Sequence, residues 1–141
     1  MKMNSRKRKE IESEIVRGIE VNDGWLSILE KFYDYWITFK EKARKLGCEV
    51  EFFQFKQKFG GLRVYAYIEN EGKQGEFEKE KEVLKQELRK EIQECEGLAE
   101  KTCEFCGSVN ETVKARKPGD FWIFNICDEC FVKQRKEEKN E

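Results

Sequence analysis

From Trp25 onward the apolar residues fall one helical turn apart: Trp25, Leu29, Phe32, Trp36, Phe39, Ala43 and Leu46. This alternation of fours and threes lasts about six turns and predicts a helix over 25–46. Leu26, Tyr33 and Ile37 run beside the stripe, so the helix is apolar over a broad face and must be buried on more than one side. The rest of the fold can cover it, or a second copy can, which would make this helix a homodimer seam. Asp23 is the expected N-cap, and Gly47 stands where a C′ glycine ends a helix. Upstream, Ile11, Ile15 and Ile19 suggest a short helix with one stripe, weakened by Gly18. The quartet Arg6-Lys7-Arg8-Lys9 before it reads as a solvated basic arm, with phosphate contact as the alternative.

Beyond Gly47 the period changes to two. Val50, Phe52, Phe53 and Phe55 are strand formers, and Leu62, Val64, Ala66 and Ile68 alternate with Arg63, Tyr65 and Tyr67. A β-hairpin turning at Phe59-Gly60-Gly61 follows. Asn70 to Gly75 has no apolar residue and reads as a loop. A long helix is expected over about 76–101, with Leu84, Leu88, Ile92, Cys95 and Leu98 or Ala99 on the side laid against the hairpin. On its wet sides Glu78–Lys81, Glu82–Lys85 and Glu87–Lys90 are spaced to pair at i,i+3.

Cysteine usage then changes the picture. The chain has six cysteines and no histidine. Cys103 and Cys106 form one C-x-x-C pair, Cys127 and Cys130 another, and twenty residues separate Cys106 from Cys127. Each pair can aim two thiolates at one tetrahedral ion, which predicts a single structural zinc with no position left open for water. Paired redox motifs would need a thioredoxin-like βαβ context, and disulfides would need a secretory route. The basic start is followed by no apolar h-region, and no run approaches the roughly 20 apolar residues of a membrane span. Reduced thiols in a cytoplasm, with no membrane partner, are therefore expected. Cys103 to Gly107 reads as a knuckle. Strands over 112–116 and 121–126 flank a type II turn at Lys117-Pro118-Gly119-Asp120, and a polar helix starts at Asp128. Knuckle, hairpin, then a helix carrying the second pair is the order of a treble clef; a zinc ribbon is the alternative. Residues 102–141 hold too few core formers to fold on burial alone, so the ion must act as the staple. Lys101, Lys114, Arg116, Lys117 and Lys133 are near enough in sequence to offset a site of net charge −2. The expected fold is α+β: an arm over 1–22, a helix–hairpin–helix body over 23–101, and the zinc module over 102–141.

Net charge is −1, so bulk charge recruits neither nucleic acid nor membrane and any attraction must be local. Two local clusters mix cations with aromatics: Lys56, Lys58, Arg63, Tyr65 and Tyr67 on the hairpin, and Lys114, Arg116, Lys117 and Trp122 on the cysteine module. Arginine grips phosphate bidentately and aromatic rings stack on bases, so nucleic acid or a nucleotide signal is the expected ligand; an ordinary solvent face is the alternative. Without histidine, the histidine-dependent zinc nucleases of the treble-clef class are excluded. Cys48 and Cys95 have no imidazole partner, and packing accounts for both. A binding protein, not an enzyme, is expected.

The hairpin from Gln54 to Tyr65, with Lys58-Phe59-Gly60-Gly61-Leu62-Arg63 at its centre, followed by a helix and the two cysteine pairs, resembles small phage and prophage proteins. In these a K-x-K-F-G-x-L-R hairpin ending in aromatics precedes a four-cysteine zinc module. The likeness spans about residues 23–131; Val64 stands where an aromatic is common, and the basic arm lies outside it. It implies zinc, this architecture and a phage-like origin, but no reaction. A second class of partner is a host factor, such as a defence component, bound by a phage-encoded protein through the broad apolar helix Trp25–Leu46, whose aromatic residues suit a protein interface.

Overall fold

The computed structural model describes residues 3–139 and is α+β. The apolar helix runs Leu26–Lys45 (here α2), preceded by a 3-10 turn, Asp23–Trp25. Asp23 lies inside that turn and makes no side-chain cap. The C-terminal end forms as its glycine demands: Gly47 takes φ 78°, its amide donates to the Arg44 carbonyl, and the Cys48 amide reaches back to Ala43. These two bonds are the Schellman closure. Trp25, Leu26, Leu29, Phe32, Tyr33, Trp36, Phe39 and Ala43 are all buried within one chain, whereas Ile37 is 47 % exposed. The broad apolar face is thus filled by the chain's own elements. The core-packing reading of this stripe holds, and the residues that the alternatives of a homodimer seam along 25–46 or a host-protein surface would use are themselves buried.

The N-terminal segment departs from expectation. Its helix, α1, ends at Glu14 (Ser5–Glu14). Ile15 instead bridges Phe52, and Ile19–Glu20 forms a strand, β1, paired in parallel with β2 (Glu49–Lys58). Gly18, at φ 88°, makes the change of direction. The isoleucine spacing fits a helix, but the free edge of β2 offers backbone partners that a short, glycine-weakened helix lacks. The basic quartet is accordingly no free arm. It lies in α1, where Lys7 pairs with Asp34 of α2 at 2.9 Å and Arg8 with Glu12 at 2.8 Å.

β2 continues into β3 (Gly61–Asn70) through a two-residue turn with positive φ at both Phe59 (53°) and Gly60 (81°), and the sheet order is β1-β2-β3. Both signs match a type I′ turn. A bulge between Phe52 and Gln54 lets Phe52 and Phe55 both face the core, with Leu62, Val64 and Ala66 opposite. The third helix, α3 (Glu78–Glu100), buries Leu84, Leu88, Cys95 and Ala99. Its charges reach across elements and do not form the expected i,i+3 pairs. Lys85 meets Glu71 at 2.6 Å, Glu87 meets Lys42 at 3.2 Å, and buried Lys81 donates to the Lys73 carbonyl at 3.0 Å. The packed loop and α2 place those partners within reach.

The cysteine module follows the expected order with shorter strands, β4 (Lys114–Arg116) and β5 (Phe124–Ile126), and a helix α4 (Asp128–Lys139). Gly119 has no positive φ, so the type II turn is not formed. Residues 117–123 make a wider loop around buried Pro118. No helix among the described residues is long and apolar enough to cross a membrane.

Candidate metal centre

Cys103 and Cys106 sit on the knuckle, which Gly107 closes at φ 78° with its amide donating to the Cys103 carbonyl at 2.9 Å. Cys127 immediately precedes α4, and Cys130 lies in its first turn. The four Sγ atoms lie within 4.8 Å of one another, and Cys106 to Cys127 is 3.8 Å. A tetrahedral ion with metal–sulfur bonds of about 2.3 Å needs sulfurs roughly 3.8 Å apart, so the four thiols fit one ion. No histidine or carboxylate joins the set. Cys103, Cys127 and Cys130 are buried and Cys106 is exposed. Burial pushes the Cys103 and Cys130 thiols up. At Cys106 burial is outweighed by the Ser108 hydroxyl, 3.1 Å away, the Ser108 amide and the neighbouring cysteines, which bring it down to about 7.

Around the sulfurs, Ile126, Phe105, Val113, Phe124 and Phe131 supply what apolar packing there is. Arg116 is consumed here. Its guanidinium lies 4.6 Å from the centre of the Phe131 ring and bonds Asp128 and the Ile126 carbonyl at 2.8 Å each. It clamps β4 to α4 and is not a surface ligand group.

A residue with no mark in the sequence joins this module to the body. Glu104, between the first two cysteines, is completely buried and forms no ion pair among the described residues. Its carboxylate accepts from the Asn125 amide (2.8 Å), Asn22 Nδ2 (2.7 Å) and Gln57 Nε2 (3.2 Å). Burial raises its pKa, and these donors oppose the rise. Beside it the Gly24 amide donates to the Glu104 carbonyl at 2.8 Å, and a Cβ at Gly24 would sit 2.6 Å from the Glu104 carbonyl carbon. Only glycine permits that approach. Trp25 Nε1 adds a bond to the Thr102 carbonyl at 2.9 Å.

The same docking brings the two hairpins that carry the cation–aromatic residues into contact. A Cβ at Gly60 would meet Ile123 at 3.0 Å and Ala115 at 3.2 Å, so the tip of the β2–β3 hairpin rests on the β4–β5 hairpin. Lys56 pairs across the sheet with Arg63, and Gln54 with Tyr65, opposite in face to the buried pair Phe55 and Val64. Lys56, Lys58, Arg63, Tyr65 and Tyr67 therefore share the sheet's outer face. Tyr67 bonds Glu51 there. Sequence reasoning missed two members. Phe59 is 73 % exposed at the turn, and Phe121, 86 % exposed, adjoins Trp122, itself 70 % exposed. Among the described residues, Lys56, Lys58, Arg63, Lys114 and Lys117 form no ion pair.

No family model, curated protein or solved structure matches the chain.

Proposed function

We propose that the chain is a zinc-stabilised, phage-like binding protein without a catalytic role. Its ligand is a phosphate-bearing one, single-stranded nucleic acid before free nucleotide, held where the two hairpins meet. Four sulfur ligands and no oxygen or imidazole donor suit zinc in a closed structural site. The observation that carries the ligand is the contact of Gly60 with Ile123 and Ala115, which joins the two hairpins that bear the cation–aromatic residues. Phe59 strengthens the reading. A bulky side chain at positive φ is strained, and such strain gathers at functional sites. Stacking rings with unpaired lysines and an arginine are the means by which single strands are gripped without sequence preference.

Fluorescence anisotropy with a labelled single-stranded oligonucleotide over a salt series tests this. Affinity should fall with salt, and Lys58→Ala with Arg63→Ala should flatten the log–log slope by about 0.7 for each phosphate that is no longer neutralised. Trp122→Ala should cost about 1–3 kcal/mol. Binding indifferent to salt and to both changes would end the nucleic-acid reading and leave the exposed rings to a protein partner.

A further inference from the structure

β3 ends the sheet, and its outer edge is open. Because Lys58 and Gly61 close a two-residue turn, residues 61, 63, 65 and 67 hydrogen-bond inward to β2, while 62, 64, 66 and 68 direct N–H and C=O outward. The Val64 amide confirms the phase: it donates to the Glu96 carboxylate of α3 at 3.2 Å. Beyond it a cleft of about 440 Å³ runs between this edge and α3, floored by Ala66, Ile68, Leu88 and Ile92 and rimmed by Arg89 and Glu96. A ten-residue edge without proline, guarded by one carboxylate, is an unusually bare pairing surface.

We propose that the β3 edge pairs with the β3 edge of a second copy, antiparallel about a two-fold axis beside Ala66. The edge presents alternating backbone donors and acceptors, which only another extended backbone can satisfy in register. The charges choose a second copy as the source of that backbone. α3 runs antiparallel to β3, so Glu96 lies at the Val64 end of the cleft and Arg89 toward the Ile68 end. A two-fold at Ala66 exchanges those ends. Glu96 then gives up the Val64 amide to the Ile68 carbonyl of the second copy and turns to face the second copy's Arg89, twice over, and Arg89 has no ion-pair partner among the described residues. The isologous surface is self-complementary, as a two-fold interface requires. On the outer face Tyr65 comes opposite Tyr67 of the second copy, a cross-strand aromatic pair. Gly97, one turn beyond Gln93 at the cleft, has nothing within 4 Å of where its Cβ would be. A glycine inside a helix destabilises it, and close approach of a second α3 gives it a purpose.

Sedimentation equilibrium of the metal-loaded full chain over a concentration series tests the proposal. A monomer–dimer equilibrium is expected. Arg89→Glu should raise the dimer Kd by about tenfold or more, because it sets like charges face to face at both symmetry-related contacts. The double change Arg89→Glu with Glu96→Arg should restore dimerisation. Since Glu96 also holds the Val64 amide, hydrogen exchange of the unaltered chain supplies an independent reading: Ala66 and Ile68 amides should gain protection as concentration rises. A chain that stays monomeric throughout, a dimer indifferent to Arg89→Glu, or edge amides unprotected in the dimer would each overturn it.

Discussion

The two halves of this molecule are held by different physics. The body buries Trp25, Phe32, Trp36, Phe39, Phe52 and Phe55 almost completely, stacked so that Trp36 and Phe39 ring centres are 5.3 Å apart and Phe32 and Phe52 meet edge-on at 5.0 Å. Each such ring removes about 150–250 Å² from water, so burial alone can support the fold. In the cysteine module the fully buried cluster is Cys103, Ile126, Cys127 and Cys130. Three of those four belong to the cysteine set whose sulfurs fit one ion. The lesson is that the second unit's interior consists largely of thiols placed to share one ion, with little apolar packing to replace it, so its stability should depend on the metal.

Metal removal is the largest way to break the comparison. A strong chelator, or Cys103→Ser with Cys130→Ser, should remove apparent stabilisation of roughly 10–16 kcal/mol from the module. Hydrogen exchange should then rise across residues 103–131 while α2 stays protected; a module still protected without metal would refute the contrast. Next comes Trp36→Ala, expected to cost about 3–5 kcal/mol by leaving a cavity among the aromatic rings. Calorimetry should show the lower transition, with one metal per chain still bound below it. Glu104→Ala sits between the halves and should cost about 2–3 kcal/mol, because it leaves the buried Asn125 amide unpaired and removes the bonds from half-buried Asn22 and Gln57. It should separate the two unfolding steps, which a single unchanged transition would contradict.

What could be read from the sequence follows the same division. The α2 stripe, the period-two hairpin and the paired cysteines are local signals that carry their own physics, and the structure keeps all three. The errors fall where distant elements compete. Ile15 and Ile19 match a helix locally, but Ile19 pairs with Phe55 on β2. Lys81 and Lys85 match i,i+3 partners locally, but Lys73 and Glu71 on the loop take them. Arg116 counts as a surface cation until the Phe131 ring and the Ile126 carbonyl are found beneath it. Glu104 left no trace because an acid inside a C-x-x-C pair ordinarily faces water. Only the approach of Asn22, 82 residues earlier, makes it a joint.

That separation has a consequence for how the chain is born. At synthesis rates of about 5–20 residues per second, Asn22 leaves the ribosome roughly 4–16 seconds before Glu104 exists to meet it. For that interval Gly24 and the indole of Trp25 face solvent or chaperone, and the nascent body has one unfinished seam. Because Glu104 stands between two of the four thiols placed to share an ion, a metal that orders those thiols would also help to close this seam.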